Sequence, residues 1–509
     1  MRITNNMITR NTKTNINGNK VYVDKYNTQM TTQKKISKPS DDPVIAIRSL
    51  RLGTNLSQIN QYVNNNIPDA DAWLDVTETA LTNMKDLVTD IRTQCVNGST
   101  DTLTSSDRQV ILQNLESLVD QIYMEGNADY AGRTVFTGYR TTENLTFGLN
   151  ETDTKYSITQ PFEAADLEEH RYYSGSVEVP TDAASNCTTE ISQSSYQRLR
   201  LAYDDIDSVE GFSYSYGKGA NQVTVSVAGS KLQDQDGNVI GDYLVYDNET
   251  DWANAGTSGK TIADNAAVFI KSTGEFIFGK DISNQIISNH STLQVDYTKT
   301  GFEKGELRPE YYYDCQNITD PSNVISYTKE DQDINYEIAN STMLTVNTQA
   351  SDVFDSSIRR DTNELINIVQ AAIDAESKVN QISAMMKESQ YADKESQKAL
   401  QTYLDAAKKE ADYANDNLQK TYEQYITNFD NYLERINEGI TNIGSMQKRL
   451  EMVQTRVENQ QTTIQSLKSS NEDRDISDII IDYYAAYNAY QASLTAAAKV
   501  GDQTLLNYL

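Results

Sequence analysis

The stretch Lys34–Leu52, KKISKPSDDPVIAIRSLRL, sets two prolines around a Ser-Asp-Asp triplet and then begins an apolar pattern. Pro39 disfavours helix at Lys38, because its ring crowds the backbone of the residue before it. Asp42 is a good N-cap and Pro43 a good first helical residue, since the N–H that proline lacks is one that a helix start leaves unbonded anyway. Asp41 and Asp42 also sit at the positive end of the helix dipole. The triplet is therefore a helix starter that separates two segments. Before it lie about forty basic, weakly apolar residues that cannot bury a core alone. After it a helical body is expected.

The apolar spacing beyond Leu52 supports that body. Leu56, Ile59, Val63, Ala70, Trp73, Ala80, Met84, Leu87 and Ile91 follow a 3-4 rhythm, the signature of one helix face. Pro68 interrupts the pattern and either kinks the helix or starts a second one. A further helix is expected from about Asp107, capped by Ser105 or Ser106, with Ile111, Leu115, Leu118 and Ile122 on its stripe. Late in the chain the helix breakers disappear. No proline occurs in the 188 residues after Pro321, and between Ser351 and Val500 the glycines are Gly439 and Gly444 alone. Very long helices are thereby permitted. Leu365, Ile368, Ala372, Ala375, Val379, Ile382 and Met386 keep a strict 3-4 alternation. So do Leu418, Tyr422, Tyr425, Phe429, Tyr432, Ile436, Ile443, Met446, Leu450, Val453, Val457, Ile464 and Leu467, with Gly439 and Gln460 in the two vacant seam positions. This is a heptad seam or ordinary helical-bundle packing; the seam alone does not separate the two. Near the end, Ile476, Ile480, Tyr483, Tyr487, Tyr490, Leu494 and Ala497 form another stripe that needs a partner helix, because a lone helix of that length is marginal in water. We expect the first and last forty residues to be each other's partners, loose in the monomer and folding together in an assembly.

From about Thr146 to Asp333 the texture changes. NQVTVSVAGSKLQDQDGNVIGDYLVYD alternates apolar and polar residues around Asp236-Gly237, a hairpin signal. AAVFIKSTGEFIFGKDI predicts a second hairpin, turning at Thr273-Gly274. The predicted fold is mainly α with an inserted β-rich region: a long antiparallel coiled-coil or helical-bundle core built from both chain ends, with the β-domain or domains at the tip. The expected divisions are an N-terminal disordered or assembly helix (1–40), the N-terminal part of the helical core (41–145), the inserted β-rich outer region (146–334), the C-terminal part of the core (335–469) and a C-terminal assembly helix (470–509).

Charge and chemistry narrow the function. The net charge is -29, which argues against a general nucleic-acid binder. Residues 1–52 carry ten Lys/Arg against three Asp/Glu, a net of +7, leaving -36 for the rest, but these basic residues are scattered rather than blocked. No run of 18 apolar residues occurs, so no membrane span is expected. The opening MRITNNMITRNTKTNINGN has no apolar core of a cleavable signal. Cys95, Cys187 and Cys315 are far apart and form neither a CxxC pair nor a disulfide framework. The two histidines, His170 and His290, belong to no HExxH or inverse motif, and no GxSxG, Walker A or GxGxxG occurs. DQDGNVIGD has the outline of a calcium loop but lacks its sixth-position glycine and terminal glutamate, and reads as a hairpin. The tyrosines at 422, 425, 432, 483, 487 and 490 read as packing residues with wet hydroxyls. Catalytic, cofactor-binding and metal-binding residues are expected to be none, and the chain is expected not to be an enzyme.

Several blocks, in order, carry a family resemblance. They are MRITNNM, QKKISKPSDDPVIAIRSLRL, the helix Trp73–Leu81 within NNNIPDADAWLDVTETAL, and NADYAGRTVFTGYRT with Gly132, Arg133, Phe136 and Gly138. IGSMQKRLE and AYQASLTAAAKVGDQTLLNYL follow near the end. Over roughly 1–145 and 335–509 the chain resembles the hook-associated protein type 3 family of the flagellin superfamily. The resemblance implies a structural adaptor at the flagellar hook–filament junction. It implies a homo-oligomer within a tubular assembly, contacting a neighbouring hook-associated junction protein and flagellin. It implies flagellar type III export without a cleavable signal, an extracellular location, and an export chaperone on the C-terminal helices, with no nucleic acid and no membrane partner. Flagellin is the near alternative. An adhesin or enzyme activity in the 146–334 insert is the lesser one.

Overall fold

The computed structural model describes residues 5–100, 103–119, 121–183, 185–217, 222–255, 262–330 and 332–502. Met1–Thr4 of the opening block and residues 503–509 of the closing one therefore lie outside the described residues. Helices occupy α1 (Asn5–Thr32), α2 (Pro43–Gln61), α3 (Ile67–Gly98), α4 (Ser105–Val119), α5 (Glu249–Ala255), α6 (Lys280–Ser288), α7 (Ala350–Val353), α8 (Ser357–Met385), α9 (Lys394–Glu472) and α10 (Ile476–Asp502). The strands are β1 (Asp129–Tyr130), β2 (Arg133–Thr134), β3 (Glu151–Glu163), β4 (Glu168–Ser174), β5 (Ser192–Arg200), β6 (Ser208–Tyr216), β7 (Val223–Ala228) and β8 (Lys231–Asp234). They continue with β9 (Val239–Tyr246), β10 (Ala266–Ile270), β11 (Glu275–Phe278), β12 (Thr292–Phe302), β13 (Asp314–Asn317), β14 (Ile325–Tyr327), β15 (Asn335–Ala339) and β16 (Thr342–Thr345). The chain is thus mainly helical, with a β-rich region inserted between terminal helices.

Asp42 caps α2 as its sequence predicts. Its backbone is extended and its Oδ1 accepts from the N–H groups of Val44 (2.9 Å) and Ile45 (3.1 Å), with Pro43 in the first turn. Asp41 does something else. Its Oδ2 turns back and accepts from the backbone N–H groups of Ser37 and Lys38, at 3.0 Å each, and these bonds hold its carboxyl below the usual range.

Pro68 stands in the first turn of α3, where a proline that starts a second helix is expected. The five residues before Ile67, Tyr62–Asn66, form a π-helical turn in which the N–H of Ile67 reaches the carbonyl of Tyr62. The proline lacks an N–H and its ring crowds the preceding turn, so widening that turn by one residue keeps the backbone helical on both sides. The cap of α4 also differs from expectation. Thr104, not Ser105 or Ser106, occupies it: Thr104 N–H donates to Asp107 Oδ2 (3.0 Å) while Asp107 N–H donates to Thr104 Oγ1 (3.4 Å). This reciprocal pair satisfies two end donors at once, which a lone serine does not.

The heptad positions are the buried ones. Leu365, Ala372, Ala375 and Ile382 of α8 are buried, with Val369 closing the stripe where Ile368 stays half-buried. On α9, Leu418, Tyr422, Tyr425, Phe429, Tyr432, Ile436, Ile443, Leu450, Val453 and Val457 are buried, and the seam ends there: Ile464 is half-buried and Leu467 exposed. Gly439 fills its seam position because a Cβ there would lie 2.6 Å from Val353 Cγ1 and 3.3 Å from Leu81 Cδ1.

Among the described residues, one sheet takes twelve strands in the order β14-β13-β3-β12-β6-β7-β8-β9-β10-β11-β5-β4. Its described pairings are antiparallel except β9–β10, which run parallel across α5. Both predicted hairpins form. Asp236-Gly237 turns between β8 and β9, and Thr273-Gly274 between β10 and β11, each with its glycine at positive φ. At Gly274 a Cβ would also meet the Tyr203 carbonyl oxygen at 2.2 Å. Phe212, Phe269, Phe276, Phe278 and Tyr297 fill the core, with Phe212 stacked on Phe276 at 4.7 Å.

Two compact units divide the chain. One comprises Met1–Asp71, Asn335–Leu344 and Gln447–Leu509; the other comprises Ala72–Ile334 and Thr345–Met446.

Candidate assembly surface

In the first unit, the opening stretch is a clasp. Gln33 ends α1 in the left-handed region (φ 55°) and turns the chain back. Lys34 and Asp473 then form an antiparallel bridge: Lys35 N–H donates to the Glu472 carbonyl (2.6 Å) and Arg474 N–H to the Gln33 carbonyl (3.0 Å). Side chains lock the same crossing. Lys34 Nζ donates to Asp473 Oδ1 (2.5 Å) and Glu472 Oε2 (3.2 Å). The Ser49 hydroxyl donates to Glu472, Asn471 Nδ2 donates to the Ile45 carbonyl (3.1 Å), and Arg474 pairs with Asp482 and with Gln29 Oε1 (2.8 Å). The Asp473 hydrogen bond raises the Lys34 pKa. Lys34 and Ser469 lower that of Asp473. Burial pushes Glu472 up, but Ser49 and Lys34 outweigh it and hold this carboxyl low.

The clasp sets α1 and α10 side by side, with Asn19 Nδ2 donating to the Ala489 carbonyl (3.3 Å). The predicted pairing of the two ends is therefore present within one chain. Its register differs from the stripe read along α10. Ile479 is buried and Tyr483, Tyr490 and Ala497 are half-buried, whereas Ile476, Ile480, Tyr487 and Leu494 face solvent. The reason is that α1 is too polar to cover a whole stripe: its inward positions include Gln29, the only buried residue among its described side chains. Apolar surface is left over on several helices. Val21 and Tyr22 of α1 are exposed, as are Val44, Ile47 and Leu50 of α2 and Ile480, Ile481, Tyr484 and Leu494 of α10. Leu50 reaches 69% and Ile481 65%. Large apolar side chains on three helices of this unit are thus left without a cover in the single chain.

A groove of about 770 Å³ in the same unit lies where the π turn meets the hairpin β15–β16. It is lined by Ile59, Tyr62, Asn340, Met452, Arg456 and Gln460, among others. Tyr62 Oη donates to Glu337 Oε1 (3.0 Å) and Asn66 Nδ2 to the Glu337 carbonyl (2.7 Å), so the widened turn fastens the hairpin.

The second unit holds a buried charge network that sequence reading missed. Arg198 and Arg200 point to the same side of β5. Arg198 meets Glu364 (2.7 Å), Glu275 (3.0 Å) and Glu168 (3.2 Å), while Arg200 meets Glu168 (2.8 Å), Glu364 (3.1 Å) and Asp361. His170 Nδ1 lies 3.2 Å from Glu364 Oε1, and Tyr432 Oη donates to Asp361 Oδ2 (2.7 Å). Burial raises Glu364, but Arg198 and the His170 hydrogen bond outweigh it and hold the carboxyl well below its usual range. Asp361 stays above its usual range because burial exceeds the pull of Arg200. The signal was present in QRLRL, two arginines at the spacing of one strand face, and in RRDTNEL, two acids one helical turn apart. The network joins β4, β5 and β11 to α8 and α9. Its partners are side chains of this chain's own strands and helices.

The other singled-out residues do not converge. His290 sits at positive φ in the turn after α6, whereas His170 lies on β4. In DQDGNVIGD, Asp234 accepts from the N–H groups of Asp236 and Asn238 and from Asn238 Nδ2, a closed turn. Among the described residues no group of three His, Cys, Asp or Glu could hold a metal, and no helix is long and apolar enough to cross a membrane. The three cysteines are unpaired, and burial pushes Cys95 up to about 12. The wet-hydroxyl reading fails at Tyr422 and Tyr425, whose hydroxyls are buried without a protein partner because their seam positions are packed on all sides.

The family similarities of the chain fall toward its two ends. The N-terminal helical region of bacterial flagellin matches residues 3–141, and the C-terminal helical region of bacterial flagellin matches residues 426–509. Flagellar hook-associated protein 3 of Escherichia coli is 30% identical over 118 residues, 23% of this chain and 37% of that protein. Its Salmonella typhimurium counterpart is 28% identical over 142 residues, 28% of this chain and 44% of that one. The chain thus spans less than half the length of the curated relatives it matches. The crystal structure of the flagellar junction protein FlgL from Legionella pneumophila superposes loosely, with a TM-score of 0.30 at 11% identity over 84% of this chain and all of that one. Both ends of the chain thus match flagellin helical regions, and its sequence is similar to flagellar hook-associated protein 3.

Proposed function

We propose that this chain is a structural adaptor of the bacterial flagellum, placed at the hook–filament junction and acting by assembly rather than catalysis. The observation that carries the reading is the clasped pair α1–α10. Its described side chains bury only Gln29 and Ile479 while Ile480, Ile481, Tyr484 and Leu494 stay in solvent. A helix pair with that much apolar surface outward gains by meeting its neighbours. The similarity to hook-associated protein 3, whose name places that protein at the hook, supports the location. The neighbours are then further copies within a tube, a second hook-associated junction protein on one side and flagellin on the other. Residues 1–40 and 470–509 act as assembly helices, 41–145 and 335–469 as the core, and 146–334 as the outer region. An export chaperone would cover the α10 stripe during passage through the type III apparatus to the outside of the cell.

Immunogold electron microscopy of intact flagella, with antibody raised against residues 146–334, tests this. Label confined to one band where hook meets filament is expected. Label along the whole filament would make the chain a flagellin and overturn the reading.

A further inference from the structure

A cavity of about 360 Å³ in the second unit brings together an amine and two carboxyls. Lys299 of β12 has a side chain only 5% exposed, and its Nζ donates to the backbone carbonyl of Asp204 (2.8 Å). The same nitrogen lies 3.7 Å from Asp204 Oδ1, 3.8 Å from Glu306 Oε1 and 5.4 Å over the Phe302 ring. Asp204 belongs to the β5–β6 connection and stands half exposed at the cavity rim, followed by Asp205 at positive φ. Glu306 is largely buried, its Oε2 accepting from the Glu303 N–H (2.6 Å) and its Oε1 facing Lys299. Burial pushes the Glu306 carboxyl above its usual range, although Lys299 opposes this.

An amine and a carboxylate condense only when the amine has lost its proton and the departing oxygen has gained one. A buried carboxyl beside both groups, whose hold on a proton burial strengthens, can move those protons. Holding the amine and the carboxyl in contact supplies the orientation that two free groups in water lack.

We propose that Lys299 and Asp204 become joined by an intramolecular isopeptide bond, with Glu306 carrying the protons. The ammonium first passes one proton to the Asp204 carboxylate. The Nζ lone pair then attacks Cγ of the resulting acid, forming the C–N bond. Glu306 takes a proton from the nitrogen and delivers one to a Cγ hydroxyl. The C–O bond breaks, one water leaves through the rim, and Glu306 ends in its starting protonation state. No oxidant, reductant or second substrate is needed. The product ties β12, seated between β3 and β6, to the β5–β6 connection. It closes the chain from 204 to 299 into a ring, which constrains the unfolded state. The link can form only once the sheet has assembled, because β12 and the connection meet only in the folded sheet.

Intact-mass spectrometry of the purified full chain tests this. The expected mass is one water below the sequence mass, with a branched peptide joining 204 and 299 after proteolysis. Asp204→Ala, a half-exposed position whose loss leaves the sheet folded, is expected to restore the full sequence mass, and Glu306→Gln to keep it there or delay the loss. Folded wild-type chain at its full sequence mass would overturn the proposal. So would water loss that persists in Asp204→Ala, or a branch mapped elsewhere. If Glu306→Gln fails to fold, the wild-type mass and peptide map decide alone.

Discussion

Arg198 and Arg200 are buried, and each is paid for by carboxylates drawn from other elements. Such a network is expensive to break from one side, because the remaining charge is left in low dielectric. Glu364→Ala removes one of the two carboxylates that both arginines share, and is expected to destabilise the second unit by about 3–5 kcal/mol. Urea unfolding followed by the fluorescence of the buried Trp252 measures it; a loss below about 1 kcal/mol, the range of a solvent-screened pair, would refute the buried role. Gly98 shows a different kind of residue effect. A Cβ there would stand 2.2 Å from Tyr422 Cζ, so Gly98→Ala is expected to cost roughly 1–3 kcal/mol by overpacking. Differential scanning calorimetry would show an unchanged melting temperature if the ring can step aside. The network left a signal in the spacing of QRLRL and RRDTNEL that did not name its partners, and the Gly98 effect left none. An arginine on a strand reads as solvated, and a glycine at a helix end reads as a terminator, because partners hundreds of residues away decide both.

At the scale of elements the sequence was more informative, and for a physical reason. The Asp42 cap, the long α9 and both hairpins rest on local rules: an acceptor before a proline, the absence of helix breakers, a glycine where φ must be positive. Reading failed where two local rules competed. Pro68 was expected to kink a helix or start a second one; it stands in the first turn of α3, and the π turn just before it was not foreseen. The α10 stripe was read as one seam, yet the polar face of α1 covers only part of it. The clasp between α1, α2 and the end of α9 was invisible as a unit, although KKISKPSDDP announced a break. Its strength should depend on pH. Glu472 and Asp473 have folded pKa values below their ordinary ones, so their contribution is present above the usual carboxylate range and lost as pH falls through the folded values. Lys34 is raised, so its share is present below its ordinary value and lost as pH climbs through the folded one. Lys34 and Asp473 are both more than two-fifths exposed, so Lys34→Ala is expected to cost only about 0.5–1 kcal/mol at neutral pH. Once pH has fallen below the lowered folded values of these carboxylates, the wild type and the variant should converge. Amide exchange of α10 across that range is the measurement, and a gap that persists in acid would show that the carboxylates are not what Lys34 holds.

For the whole molecule the decisive quantity is the apolar surface that one copy cannot bury. Ile480 and Leu494 are each 39% exposed on α10, and neither belongs to the clasp. Covering such a side chain fully contributes about 1.5–3 kcal/mol, less for the fraction already covered, and each neighbour in a tube gains it again. That gain must exceed the cost of ordering two helical ends. A carboxylate placed there hardly disturbs the single chain, because the site faces water. In an assembled neighbour contact it would be buried without a partner, which costs far more than the lost burial. Ile480→Asp and Leu494→Asp are therefore expected to leave the β-rich region folded, with an unchanged thermal transition, while the chain fails to incorporate into flagella. Electron microscopy of strains carrying each variant, beside the melting curve of the purified protein, separates the two effects. Normal junctions in both strains would mean that these side chains are ordinary surface, and the apolar faces of α1 and α2 would have to carry the assembly instead. Loss of folding in the monomer would mean that α10 is held by more than the clasp and the partial seam described for it.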